Sequence, residues 1–213
     1  MRTDDLVASL AADLRVVPRN AVPRRLARYV IAGSAVTMML VATWLGVRGD
    51  LGDAMLGFTF WMKWGYTIAV GSIALAATVH LARPEAETPA SLWWLAVPVG
   101  LLAALAVRQL LITPPGDWTA LWQGRSWQVC TIKVATLALP ILAAAMVALR
   151  SFAPTRLRVT GAVAGLAAGG CAATLYGLHC PEVSALFVLV WYSLGMLAAA
   201  AIGALLGPIM LRW

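Results

Sequence analysis

The segment Leu178-His179-Cys180-Pro181-Glu182 places an imidazole, a thiol and a carboxylate within four residues, between two long apolar runs. Thiolates bind soft and borderline metals, and an imidazole nitrogen and a carboxylate oxygen can complete such a set. A thiol pair can also form and break a disulfide. A second thiol, Cys130, stands about one turn inside the apolar run that begins at 126, so it is expected at the depth of Cys180. The third, Cys171, lies nine residues before Cys180, about 13 Å deeper along a helix. It sits beside Gly169, Gly170 and Ala172, where a small buried cysteine behaves as a plain hydrophobe, and a structural role is expected.

Three thiols cannot all pair within one chain. For Cys130 and Cys180 two readings stand. One is a structural disulfide, feasible where the Cα atoms come within about 7 Å and the compartment is oxidising. The other is a sensor, with Cys130, His179, Cys180 and Glu182 as the candidate soft-metal set. No CxxC motif is present, and a labile bridge would satisfy both readings.

These residues must be positioned by helices in a membrane. The chain is 62% hydrophobic and 12% charged, with a mean hydropathy of +0.83. A soluble domain is nearer half apolar and a quarter charged. Six apolar runs, about 27–47, 58–82, 92–113, 126–149, 157–178 and 185–210, each meet the length needed to cross a bilayer. The expected fold is all-α, a six-helix transmembrane bundle over 27–213 preceded by a short cytoplasmic segment, 1–26.

The net charge of +7 comes mostly from arginines beside the apolar runs, which argues against a nucleic-acid-binding domain. The basic N-terminal segment and the connector with Arg150, Arg156 and Arg158 are expected in the cytoplasm, with both chain termini. The 178–182 turn then faces out. Lys63, Arg108 and Lys133 fall near the outer ends of their spans and are expected to snorkel to lipid headgroups. Gly161, Gly165 and Gly169 recur every four residues, as do Gly203 and Gly207. They are expected to let helix backbones pack closely within the chain, the alternative being a homodimer seam.

The first residues do not resemble a signal peptide. Thr3 is an N-cap candidate, and Asp4 and Asp5 suit the first turn of a helix. Leu6, Leu10 and Leu14, with Val7 beside them, form one apolar stripe. Such a short helix is marginal alone and is expected to dock on a protein partner. Pro18 and Pro23 suggest a basic linker over 15–28.

No span carries an Asp or Glu, which argues against a proton-coupled carrier. No phosphate loop, HExxH motif or nucleophile elbow is present, so no cofactor and no enzyme activity is expected. A small metal or solute transporter and a membrane thiol-disulfide oxidoreductase remain as alternatives.

The chain resembles the NrsF-type anti-sigma factors, six-span inner-membrane proteins that restrain extracytoplasmic-function (ECF) sigma factors in proteobacteria. The resemblance rests on Thr3-Asp4-Asp5-Leu6 with the Leu10 and Leu14 repeat, Ser126-Trp127 leading to Cys130, Ala153-Pro154-Thr155-Arg156, and above all Leu178-His179-Cys180-Pro181-Glu182, Ser184-Ala185-Leu186-Phe187 and Trp191-Tyr192. It implies that the N-terminal segment binds the sigma factor. It also implies that Cys130 and Cys180 match the pair through which the family responds to metal or oxidative stress.

Overall fold

The computed structural model describes residues 3, 5, 7, 20–83, 87 and 89–212. Thr3, Asp5 and Val7 are helical and exposed. Asp4, Leu6, Leu10 and Leu14, which carry most of the expected partner-binding stripe, lie outside the described residues, as does Trp213. No strand occurs among the described residues.

Six helices are long and apolar enough to cross a membrane. They are α1 (Ala21–Leu45), α3 (Phe58–Leu81), α4 (Ala90–Ile112), α6 (Trp127–Arg150), α7 (Leu157–Tyr176) and α8 (Ala185–Met210). Two short helices, α2 (Leu51–Leu56) and α5 (Trp118–Gln123), lie in the first and third connectors. The first span starts at Ala21 rather than near 27, which corrects the expected linker. Pro23 falls in the first turn, where its missing N–H costs no intrahelical bond, so Arg24, Arg25 and Arg28 are helical.

Three stretches of the spans depart from α geometry, and α4 opens as a 3₁₀-helix over Ala90–Leu95. Val41–Leu45 in α1 and Val188–Tyr192 in α8 are π-helical turns. Such turns insert one residue into the helical ladder and are frequent at functional sites. Both lie at the end of the bundle that carries the 46–57, 113–126 and 177–184 connectors, hereafter the thiol end.

Helix α7 is the hub and packs on α8, α3 and α6. Its contact with α8 is made by backbone. A Cβ built on Gly161 would strike the Gly203 carbonyl oxygen, and one on Gly203 would strike that of Gly161. Gly165 meets Ala199, Gly207 meets Leu157, and Gly169 stands 2.9 Å from the Met196 Cα in the same sense. The glycine stripe is therefore covered within the chain, and close approach maximises dispersion contact where no hydrophobic effect separates helices from lipid.

Helix α1 lies along α6. Thr37 donates to the Leu137 carbonyl across that interface at 2.9 Å rather than to its own helix. A Cβ on Gly33 would come within 2.7 Å of the Ile141 Cα. Helix α4 is peripheral, with Pro98, Leu102 and Ala106 its buried residues. It is tied at the thiol end, where the Gln109 side-chain oxygen accepts from Ala185 N at 3.0 Å and Ser184 Oγ at 3.2 Å. That bond satisfies a backbone donor at the start of α8, which has no intrahelical partner.

Candidate functional site

Cys180 follows the end of α7 by about one turn, and its backbone N–H still reaches the Tyr176 carbonyl at 3.0 Å. The helix thus delivers the thiol to a fixed depth. Cys130 lies in the first turn of α6, with its N–H on the Ser126 carbonyl at 3.0 Å. Both cysteines are fully buried and free. Tyr176 places its hydroxyl against both thiols. The Tyr192 ring, 5.7 Å from that of Tyr176, brings a second hydroxyl beside Cys180. The Tyr192 side chain is fully buried. Cys171 stands apart, half-buried where α7 approaches Gly71 of α3.

Lys63 departs from its expected place. It does not snorkel; it is 1% exposed, and Nζ donates to the Cys180 carbonyl at 3.0 Å. The reason is local. The turn after α7 leaves carbonyls without helical partners, and a buried carbonyl must be satisfied. Lys133 is half-buried, and its Nζ lies 3.3 Å from His179 Nε2. Arg108 is exposed, as expected.

His179 turns to the outgoing end of α1. Its Nδ1 lies 2.9 Å from the Gly46 carbonyl, and Arg48 N donates to the Leu178 carbonyl at 3.1 Å. Arg48 also pairs with Asp50 through two contacts of 2.7 and 2.6 Å. That bidentate bond holds the Asp50 carboxyl below the usual carboxylate range and raises the Arg48 guanidinium. Glu182 turns the other way. Its Oε1 accepts from Arg125 N at 2.7 Å and Ser126 Oγ at 3.1 Å. Gly124 makes this possible: its φ is +54°, and a Cβ there would meet Glu182 Oε2 at 2.5 Å.

The structure therefore brings Cys130 and Cys180 into one cluster and sends His179 and Glu182 to opposite neighbours. Among the described residues no three His, Cys, Asp or Glu side chains gather as a metal-binding group. The set of Cys130, His179, Cys180 and Glu182 is not assembled. What it shows instead is a buried thiol pair roofed by a turn hydrogen-bonded to α1, α3 and the 124–126 loop. Tyr176 was within reach of sequence reasoning, since it stands one turn before Cys180. Nothing in the sequence marks Lys63 as the partner of that turn.

Residues 10–213 match the family described as NrsF, negative regulator of sigma F. The chain belongs to the NrsF family. Two relatives of the same length class agree end to end. The anti-sigma-F factor NrsF of Caulobacter vibrioides is 42% identical over 216 residues, covering 100% of both chains. The probable anti-sigma-F factor NrsF of Azospira oryzae is 40% identical over 216 residues, again covering 100% of both. No solved structure matches the chain. The family is described as a regulator, not as a carrier or an enzyme. The family match begins at residue 10, so Thr3-Asp4-Asp5-Leu6 falls before it.

Proposed function

We propose that this protein is an inner-membrane anti-sigma factor that holds an ECF-type sigma factor on its cytoplasmic N-terminal segment. It releases that factor when Cys130 and Cys180 meet an oxidant or a thiophilic metal ion. The observation that carries this reading is the pair of hydrogen bonds from the 178–179 turn to Gly46 and Arg48. They join the thiol cluster to one end of α1, and the other end of α1 leads directly into the N-terminal segment. Thr37 and Gly33 fix the middle of α1 on α6, the helix that carries Cys130. A displacement of the turn has a short mechanical route to the sigma-binding end, and the π turn at Val41–Leu45 is where α1 can change register.

Orientation has its own support. Arg24, Arg25, Arg28, Arg150 and Arg158 are exposed at the end opposite the thiols, where cytoplasmic basic residues belong. Oxidation of the pair to a disulfide would release two electrons and two protons to the oxidant, and the new bond would draw α6 and the turn together. A thiophilic metal would instead displace the thiol protons.

The test uses the full chain in lipid nanodiscs with the host's soluble extract. Capture of an ECF-type sigma factor is expected, with loss of capture when Leu6 and Leu10 are both changed to Asp. Release on adding a mild oxidant or Cd²⁺ is expected for the parent and not for the Cys130→Ser, Cys180→Ser double variant. Undiminished capture by the Leu6→Asp, Leu10→Asp variant would place the binding surface elsewhere. Undiminished release by the double variant would place the sensor elsewhere.

A further inference from the structure

Helices α3 and α4 do not close on one another. Between them runs an apolar groove of about 570 Å³. On α3 it extends from Phe58 to Ile73, fifteen residues apart, or about 22 Å at the helical rise. It therefore runs along much of the ~30 Å hydrocarbon thickness, parallel to the acyl chains of a bilayer. Its walls are almost wholly hydrocarbon, with Trp61 near one end and Trp94 near the other. At its floor, Tyr66 is satisfied by Ser193 at 2.6 Å and offers nothing to a polar guest.

Among the described residues no charged side chain lines the groove; at its thiol end the exposed charges that follow in register are Arg108 on α4, three residues past Leu105, and Asp53 of α2, five residues before Phe58. Leu101 also lines the groove, and Arg108 stands seven residues further along α4, two helical turns closer to the thiol end and on the same face. Arg108 is exposed. A guanidinium at headgroup depth above an apolar channel matches one ligand chemistry, a phosphodiester on a long hydrocarbon tail.

We infer that the α3–α4 groove is a binding site for one phospholipid of the leaflet at the thiol end. One acyl chain lies in the groove and the phosphate rests on Arg108. The occupied groove completes the packing of α4, which otherwise has few buried contacts with the bundle. This site does not depend on the proposed sigma-binding role.

Gly65 supplies a clean test. It lines the groove, and a Cβ there meets nothing within 4 Å, so a side chain built on it starts into the groove rather than into a packed helix. Gly100 on α4 also has open space around it but does not line the groove, and it serves as the control. The full chain, delipidated in detergent, is titrated with dioleoylphosphatidylglycerol and read by native mass spectrometry. One tightly held lipid per chain is expected for the parent and for Gly100→Phe. At least a fivefold weakening is expected for Gly65→Phe, and a two- to fivefold weakening for Arg108→Gln. The melting temperature of Gly65→Phe should stay at the parent value without lipid and lose the rise that lipid gives the parent. Equal lipid retention by Gly65→Phe and the parent would overturn the proposal. So would a dimer of the parent that Gly65→Phe dissociates, because a second copy would then fill the groove.

Discussion

The α7–α8 seam and the thiol cluster share the same two helices, but they are held by different forces. The seam is a backbone-to-backbone contact in which Gly161 and Gly203 each sit where the other's Cβ would have to go. It has no polar side chain to exchange and no room to adjust. The thiol cluster is a set of individually modest hydrogen bonds around two buried sulfurs. It contains two tyrosine hydroxyls beside the thiols, a buried lysine on a turn carbonyl and a π turn on each of two helices. The difference teaches where motion is allowed. A steric fit of that kind fails only as a whole, whereas a hydrogen-bonded roof can trade one partner for another at about 1 kcal/mol per bond. The seam is the fixed reference against which the roof can move.

Four substitutions sharpen that contrast, in decreasing order of effect. Gly203→Leu drives a branched side chain into the Gly161 backbone. It should cost about 3 kcal/mol or more and abolish folded protein in detergent, as followed by thermal aggregation. A folded Gly203→Leu variant with parent stability would show that the seam can slide. Lys63→Met keeps most of the buried volume but orphans the Cys180 carbonyl. A loss of about 1–3 kcal/mol is expected, with faster alkylation of Cys180 by a maleimide. Unchanged alkylation would mean that Lys63 does not hold the turn. His179→Ala removes the contact to Gly46 and should cost about 1 kcal/mol. It should raise hydrogen exchange at Gly46–Arg48 while leaving Gly161–Gly169 protected.

The smallest effect belongs to the surface pair. Asp50 is held below its ordinary pKa by Arg48, so its contribution is present above the ordinary carboxylate value near 3.9. That contribution disappears as pH falls through the lower folded value. Asp50→Asn should therefore lower stability slightly at neutral pH, and its difference from the parent should fade below about pH 4, where the parent carboxylate becomes protonated.

Much of this arrangement was legible in the chain. Apolar run length gave the six spans, and the expected 58–82 and 185–210 stretches fall within a residue of Phe58–Leu81 and Ala185–Met210. The four-residue glycine spacing pointed to a close seam because period and residue size are local properties. The depth of Cys130 and Cys180 followed from counting turns. Lys63 was not legible, since one cation near a span end is equally compatible with a headgroup and with a carbonyl 117 residues away. The separation of His179 from Glu182 was not legible either. Neighbours in a turn diverge according to what the rest of the fold offers them, here Gly46 and Lys133 on one side and Arg125 and Ser126 on the other. Pro23 misled because a proline ends a helix in its interior but opens one in its first turn.

The long reach of the Lys63 bond also sets an order of events during synthesis. Lys63 emerges from the ribosome 117 residues before Cys180 and belongs to the second span, while its acceptor follows the fifth. At about 5–20 residues per second, roughly 6–25 s pass before that carbonyl exists. Through that interval the lysine has water or headgroups for company, and the two contacts of Gly46 and Arg48 to the turn are likewise unmade. A chain truncated before residue 178 can insert its first spans and present its N-terminal segment, yet it has no roof to couple them. Under the proposed function, emergence of the turn after the fifth span is thus the step at which a membrane-inserted polypeptide becomes a responsive one.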